Sequence, residues 1–76
     1  MSPKEALLKA VKSVGSKQEL CIRADVPIRQ LNSMIQFNKV IPKYALPIMR
    51  ESGVHVSELC PEYYPKYLFP YLQSNE

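Results

Sequence analysis

Residues that bind metal ions or form cross-links are scarce in this chain. It contains one histidine, His55, and two cysteines, Cys21 and Cys60, and neither cysteine has a second Cys or a His at ligand spacing. Since a structural metal site takes about four such ligands, we expect no metal and no cofactor. Both cysteines lie in apolar stretches, which favours reduced, buried side chains.

Long apolar runs are missing as well. No stretch approaches the ~20 consecutive apolar residues of a membrane-spanning helix, and the first residues lack the apolar segment of a signal peptide. We therefore expect no membrane association and a cytoplasmic location. At 76 residues the chain has room for one domain with one small core.

Catalytic side chains show no recognisable arrangement. His55 falls in a predicted turn, and no Ser or Cys stands at the spacing of a nucleophile and its base. We expect His55 to be an incidental surface residue. The protein is not expected to be an enzyme or to bind a small-molecule ligand.

Charge is distributed unevenly along the chain. Residues 1–50 contain nine Lys/Arg and three Asp/Glu, a net charge of +6, whereas residues 51–76 contain one Lys and four Glu, a net charge of −3. A basic first two-thirds indicates a surface that faces a polyanion. The alternative is that these lysines only keep the surface solvated.

Helix signals are explicit near the start. Ser2, Pro3 and Glu5 form a predicted capping box with proline at the first helical position, and Gly15 ends this first helix. Its apolar residues recur at helical spacing and should face the core: Leu7, Leu8, Val11 and Val14.

A second capping box opens a second helix. Ser16 is its predicted cap, and Glu19 should reach back to the cap residue. The helix should run from about 17 to 24 and bury Leu20 and Cys21.

A tight turn separates the second helix from a third. Pro27 lacks an amide hydrogen, so the second helix cannot continue through it, but proline can open a new helix. Asp25 tolerates the left-handed conformation of such a turn. The third helix should span 27 or 28 to 36, with three apolar residues turned inward: Leu31, Met34 and Ile35.

A fourth helix is predicted from about 42 to 52, after an "NKVIP" loop. Pro42 opens it, Pro47 should bend or shorten it, and Gly53 ends it. The inward residues of the fourth helix are Ala45, Ile48 and Met49.

A final short turn follows the fourth helix, and Ser57 should lie near its cap.

The C-terminal segment has a different composition. Its run "CPEYYPKYLFPYL" mixes prolines and aromatics, so it cannot form a regular helix and should lie as an extended strap on the domain. The expected fold class is all-α, a compact domain of four to five helices over 1–60, followed by a Pro/Tyr-rich strap or dimerisation tail over 61–76.

The third helix presents a polar side that suits base recognition. Arginine can bind guanine and asparagine or glutamine can bind adenine, each through two hydrogen bonds. Lys17 and Gln18 open the second helix, where amide hydrogens and a cation favour a phosphate. Asn38, Lys39 and Lys43 could contact the other strand. The alternative is a polar face that is merely solvated.

A family resemblance follows from the order of these motifs. The run "KQELCIRADVPIRQLNSM" resembles the helix-turn-helix of phage Cro and repressor proteins. The rest, "IPKYALPIMRESGVHVSELCPEYYP", looks like the Cro/YdaS-type family, with Ile41-Pro42, Gly53-Val54, Glu58-Leu59 and a closing Pro-acid-Tyr-Pro pattern. The resemblance covers about 4–65 and implies a lambda-repressor-like or Cro-like fold.

The resemblance also implies roles for single residues. Cys21 matches the small residue inside the second helix, Asp25 the turn glycine, and Val26 the apolar turn residue. The base contacts that the resemblance implies are Pro27, Ile28, Arg29, Asn32 and Ser33. The exposed face of the third helix adds Gln36. Three departures alter the pattern: Asp25 replaces glycine, Pro27 removes a cap hydroxyl, and Ile28 replaces a polar reader. Ile28 could contact a thymine methyl group, or the register of the match could be shifted by one residue.

Two functions remain open from the sequence. The first is a sequence-specific regulator of transcription that binds double-stranded DNA, a phage or prophage Cro-type repressor acting as a homodimer on operator half-sites. The second is an antitoxin or protein–protein adaptor with the same fold.

The dimer contact is expected in residues 60–72, with help from the fourth helix and with weak pairing when DNA is absent. Its named residues are Tyr63, Tyr64, Tyr67, Leu68 and Phe69. The alternatives are that these aromatics only cover their own domain or that they stack on single-stranded bases.

Overall fold

Five α-helices make up most of residues 2–65, the part of the chain that the computed structural model describes, and no β-strand occurs in that part. The helices are α1 Pro3–Val14, α2 Lys17–Ala24, α3 Ile28–Gln36, α4 Pro42–Ser52 and α5 Val56–Leu59. α1 packs against each of the other four helices, and α2 packs against α3 and α4. The predicted all-α fold is confirmed over these residues.

The predicted capping box starts α1. The Glu5 amide donates to Ser2 Oγ at 3.2 Å, and the Ser2 amide donates to the Glu5 carboxylate at 3.1 Å. The Ser2 amide, followed by the Ser2 hydroxyl, holds the pKa of Glu5 below its usual value because both stabilise the carboxylate. Gly15 ends α1 with φ at 125°, a conformation that residues with a Cβ atom rarely adopt.

The second capping box is only half formed. Ser16 Oγ accepts from the Glu19 amide at 3.1 Å, as predicted. The expectation that Glu19 reaches back is wrong, because its carboxylate binds Arg23 Nε at 3.1 Å one turn further along α2. Both side chains of this pair are about half exposed, so it stabilises α2 by less than about 0.5 kcal/mol.

One apolar cluster forms the core, and each of the five helices contributes to it. The largest fully buried side chains are Leu7, Leu20, Leu31, Val40, Ile48, Val56 and Leu59. Truncation of one such leucine to alanine costs about 2–5 kcal/mol, since it leaves a cavity. Because the total free energy of unfolding of a small domain is only several kcal/mol, the loss of any one of these side chains would remove a large part of it.

The buried side of α1 is narrower than predicted. Ala6, Leu7 and Ala10 are buried, whereas Leu8 is 42% exposed, so its predicted place in the core is wrong. Successive helical residues are rotated by about 100°, which puts Leu8 outside the arc that Leu7 and Ala10 define. Val11 lies at the margin of that arc, and Val14 lies within it at the last residue of α1; both pack against the core and are partly buried.

Both cysteines are free thiols, as expected. Cys60 is buried, and its Sγ donates to the carbonyl of Val40 at 3.4 Å. Cys21 is only partly buried, which corrects the expectation of a buried side chain. Burial nevertheless raises the pKa of the Cys21 thiol, so the reactive thiolate is disfavoured.

α4 continues through its internal proline. It runs from Pro42 past Pro47 to Ser52 and ends at Gly53, which adopts a left-handed φ of 82°. Pro47 therefore does not shorten the helix. Ile48 is buried and Met49 is partly buried against the core.

α5 is capped by a histidine. His55 Nδ1 accepts from the Ser57 amide at 3.1 Å and lies 2.7 Å from Ser57 Oγ. The cap is thus His55, and Ser57 lies near it as predicted, as the second residue of α5, where it is buried. His55 is partly buried and structural, which corrects its assignment as an incidental surface residue.

The predicted strap begins as a turn. The amides of Tyr63 and Tyr64 both donate to the Cys60 carbonyl, at 3.2 and 2.8 Å, so this segment is not extended. Tyr64 is partly buried against the core. The remainder of the strap, residues 66–76, lies outside the described residues.

The stability of α1 should depend on Asn38, which lies in the loop between α3 and α4. Its Oδ1 accepts from the Lys4 amide at 2.8 Å, and its own backbone has a left-handed φ of 54°. Asn38→Ala should lower the free energy of unfolding by about 1–3 kcal/mol, because it loses the acceptor and strains the backbone.

Two variants separate these causes in urea unfolding followed by circular dichroism. Asn38→Asp keeps an acceptor and should stay within about 0.5 kcal/mol of the parent, while Asn38→Gly should fall between the two. An alanine variant as stable as the parent would show that the Lys4 bond contributes nothing.

Candidate nucleic-acid interface

α2 and α3 are joined by a turn of three residues. Asp25 ends α2 in the left-handed conformation, with φ at 55° and ψ at 49°. Its amide and that of Val26 both donate to the Cys21 carbonyl, the latter at 3.0 Å. Val26 is buried, and Pro27 is the N-cap of α3. The turn is therefore anchored in the core, and the predicted left-handed residue is confirmed.

α3 has two distinct sides. Leu31 and Met34 are buried and Ile35 is partly buried, so this side faces the core. At about 100° per residue, four exposed residues fall together on the opposite side: Ile28, Arg29, Asn32 and Gln36. Ser33, at the margin of this face, is half-buried. The rotation of α3 thus exposes nearly all of the predicted base contacts.

A hydrogen bond joins α2 to this exposed face. Lys17 Nζ donates to Asn32 Oδ1 at 3.3 Å. Lys17 is the first residue of α2, next to the exposed Gln18, and Asn32 lies in the middle of α3. A cation predicted to bind phosphate and an amide predicted to bind a base therefore lie side by side on one surface, which we call the polar face (Lys17, Ile28, Arg29, Asn32 and Gln36).

The electrostatics of this region favour an anion. No Asp or Glu occurs between Asp25 and Glu51, a segment that contains Arg29, Lys39 and two further cations. The described residues contain a single ion pair, Arg23–Glu19, so neither Lys17 nor Arg29 is neutralised by a carboxylate in residues 2–65. No side chain caps the N-terminus of α3. Its first amide hydrogens and the positive end of its dipole are therefore open to an external acceptor.

The cations and amide that follow α3 are spread over other surfaces. Asn38 uses its side-chain oxygen to bind α1, while Lys39 lines a groove next to Phe37. Lys43 lies 5.4 Å from the centre of the Tyr44 ring and borders a hollow of about 320 Å³ that also includes Arg23 and Arg50. The structure therefore brings Lys17 to the polar face and leaves Gln18 exposed next to it in the chain, but it does not gather Asn38, Lys39 and Lys43 into one cluster.

The sequence reading missed an apolar groove at the C-terminal end of α3. Its volume is about 470 Å³, and it lies between the start of α1, the loop after α3 and the turn after α5. Phe37 and Tyr63 line it and remain 70% and 62% exposed. The one available signal was Phe37 itself, an aromatic residue directly after the polar helix. We call the lining residues the Phe37 groove: Pro3, Phe37, Asn38, Lys39, Val40, Pro42, Leu59, Cys60, Pro61, Glu62 and Tyr63.

The predicted dimer contacts are only partly described. Tyr63 is exposed, and its ring meets that of Tyr64 at 4.8 Å and 70°, an edge-to-face arrangement. Tyr64 packs against the core of its own domain. Tyr67, Leu68 and Phe69 lie outside the described residues.

Other kinds of site have few residues to build on here. In residues 2–65, no group of three or more His, Cys, Asp or Glu side chains is placed to hold a metal ion. No helix of that part has the length and apolar character needed to cross a bilayer. His55 and Ser57 do contact each other, but Ser57 is buried and the contact caps α5.

Comparison with known proteins does not assign a function to the polar face, so its function is inferred from its own residues. The resemblance of the α2–α3 segment to Cro/YdaS-type regulators remains a prediction from sequence. The chain matches no family model, no curated protein and no solved structure.

Proposed function

We propose that this domain binds double-stranded DNA sequence-specifically, with α2, the turn and α3 acting as a helix-turn-helix. The observation that supports this most is the Lys17–Asn32 hydrogen bond, because it makes a backbone-binding cation and a base-reading amide parts of one surface. The absence of Asp and Glu from Val26 to Arg50 supports the same conclusion.

α3 is the element that enters the major groove. A helix with side chains is about 10–12 Å wide and fits the groove, whose width is about 12 Å. Arg29 is suited to guanine, and Asn32 and Gln36 are suited to adenine. Pro27 and Ile28, at the start of α3, offer apolar contact to a thymine methyl group, and the half-buried Ser33 takes a marginal position.

Phosphate binding falls mainly to the N-terminal ends of α2 and α3. Lys17 and Gln18 supply a cation, an amide and backbone N–H groups at the positive end of the α2 dipole. Lys43, which shares a hollow with Asp25 of the α2–α3 turn, contacts the DNA backbone from that side. Asn38 and Lys39 contribute less, since the first binds α1 and the second lines the Phe37 groove.

A regulator of the Cro type, a phage or prophage repressor acting in the cytoplasm, is the role that fits such a domain. A single α3 reads only a few base pairs, so selection of an operator calls for two copies on half-sites about one helical turn apart. Occupied operators would exclude RNA polymerase. The exposed ring of Tyr63 fits a contact between the two copies.

The test is selection from a pool of random duplexes, followed by titration of the enriched sequence and of the DNA that flanks the gene. We expect enrichment of a palindromic site and affinity at least about 10³-fold above random DNA. Equal binding to all duplexes, or none, would contradict sequence-specific regulation and favour the antitoxin or adaptor function.

Arg29 should carry base specificity. Arg29→Ala should cost about 1–3 kcal/mol on the selected site and relax preference at one base pair. The matched control is Arg29→Lys, which keeps the charge but loses the two-pronged donor geometry, so it should retain random-DNA binding and lose specificity. If Arg29→Ala weakens selected and random DNA alike, Arg29 contacts phosphate.

Lys17 should contribute equally to the binding of any DNA sequence. Lys17→Ala should weaken all duplexes and reduce the slope of log affinity against log salt by about one unit. Lys12→Ala, which removes the same charge from the exposed side of α1, is the control and should change the slope less. A loss restricted to one operator base pair would contradict this role for Lys17.

A further inference from the structure

The Phe37 groove adjoins the polar face without belonging to it. Phe37 directly follows Gln36 as the C-cap residue of α3, and Val40, Leu59 and Cys60 are its buried neighbours in the groove. None of the base-reading residues of α3 lines the groove. A molecule bound there would leave the exposed side of α3 free.

Two exposed aromatic rings in one groove are unfavourable in water. Full burial of an aromatic side chain removes about 150–250 Å² from water, at roughly 25 cal/mol for each Å² of apolar surface. Phe37 and Tyr63 still expose 70% and 62% of theirs. Exposed apolar surface that is gathered and edged by polar residues marks an interaction site. Ile22 is even more exposed, at 76%, but it is not among the residues that line this groove.

The charges of the groove indicate what kind of molecule covers it. It contains one cation, Lys39, and one carboxylate, Glu62, and neither forms an ion pair with another of residues 2–65. In a two-fold symmetric contact the same surface occurs on both sides, so Lys39 of each copy can meet Glu62 of the other. A surface that carries one charge of each sign can be complementary in charge to a second copy of itself.

We propose that the Phe37 groove is the docking surface for a second copy of this chain. Phe37 and Tyr63 of the two copies pack at the centre, and two reciprocal Lys39–Glu62 pairs lie at the rim. Lys39 then binds a carboxylate of the second copy, which is consistent with its smaller contribution to phosphate binding. The role of this dimer rests on the proposed function, because the groove would be the surface that holds two DNA-binding domains together.

Self-association of the full chain without DNA tests the proposal separately from DNA binding. Sedimentation up to about 1 mM should show a monomer–dimer equilibrium. Phe37→Asp and Tyr63→Asp should each weaken it at least about tenfold, since both replace an aromatic anchor with a charge. Ile22→Asp is the matched control and should leave the equilibrium unchanged. Circular dichroism checks that each variant is folded.

Charge reversal identifies the second copy as the partner. Lys39→Glu and Glu62→Lys should each weaken the dimer about tenfold, because the symmetric contact contains each pair twice. The double variant, which exchanges the two charges, should restore association. A chain that stays monomeric up to about 1 mM, single reversals without effect, or a double variant no better than the singles would overturn the proposal. Specific binding of such a monomer to one half-site would leave the proposed sequence-specific DNA binding standing while the proposed dimer surface fails.

Discussion

The chain reverses between α2 and α3 because Pro27 has no amide hydrogen with which to extend α2. Asp25 adopts the left-handed conformation, and two successive amides donate to the Cys21 carbonyl. Since Val26 is buried, the turn is held against the core. The turn fixes where α3 begins, and the burial of Leu31 and Met34 sets which of its side chains face solvent.

Packing, and not local capping, stabilises α3. α1 has a complete capping box, whereas α3 has no side-chain cap and carries Arg29 in its first turn, where a cation is unfavourable for the helix dipole. Leu31 and Met34 compensate through burial in the core. The first amide hydrogens of α3 therefore have no side-chain acceptor. This lowers the stability of the helix start, but it suits the binding of an anionic ligand.

The loop after α3 links this face to the rest of the domain. Asn38 binds the start of α1, and Val40 is buried, so the loop is held at two points. Phe37 precedes both and remains exposed. In a domain of this size, one short loop thus separates a polar surface from an apolar one, and a change in the loop would affect both.

Signals that act over about four residues were readable from the sequence. Ser2, Gly15 and Gly53 were assigned correctly because capping groups bind backbone atoms within one turn. Period alone placed Leu31 and Met34 in the core. It failed at Leu8, since the width of the buried arc of α1 depends on how the other helices surround it.

Contacts between distant residues required the tertiary structure. The capping pattern predicted that Glu19 would bind back to Ser16, but its carboxylate binds Arg23 instead. The bonds from Lys17 to Asn32 and from Lys4 to Asn38 depend on the angles at which helices pack, which no local pattern encodes. The sequence by itself determined the helices, their ends and the polar side of α3. Tertiary packing decided which of those side chains meet, because proximity between helices follows from how the shared core is filled.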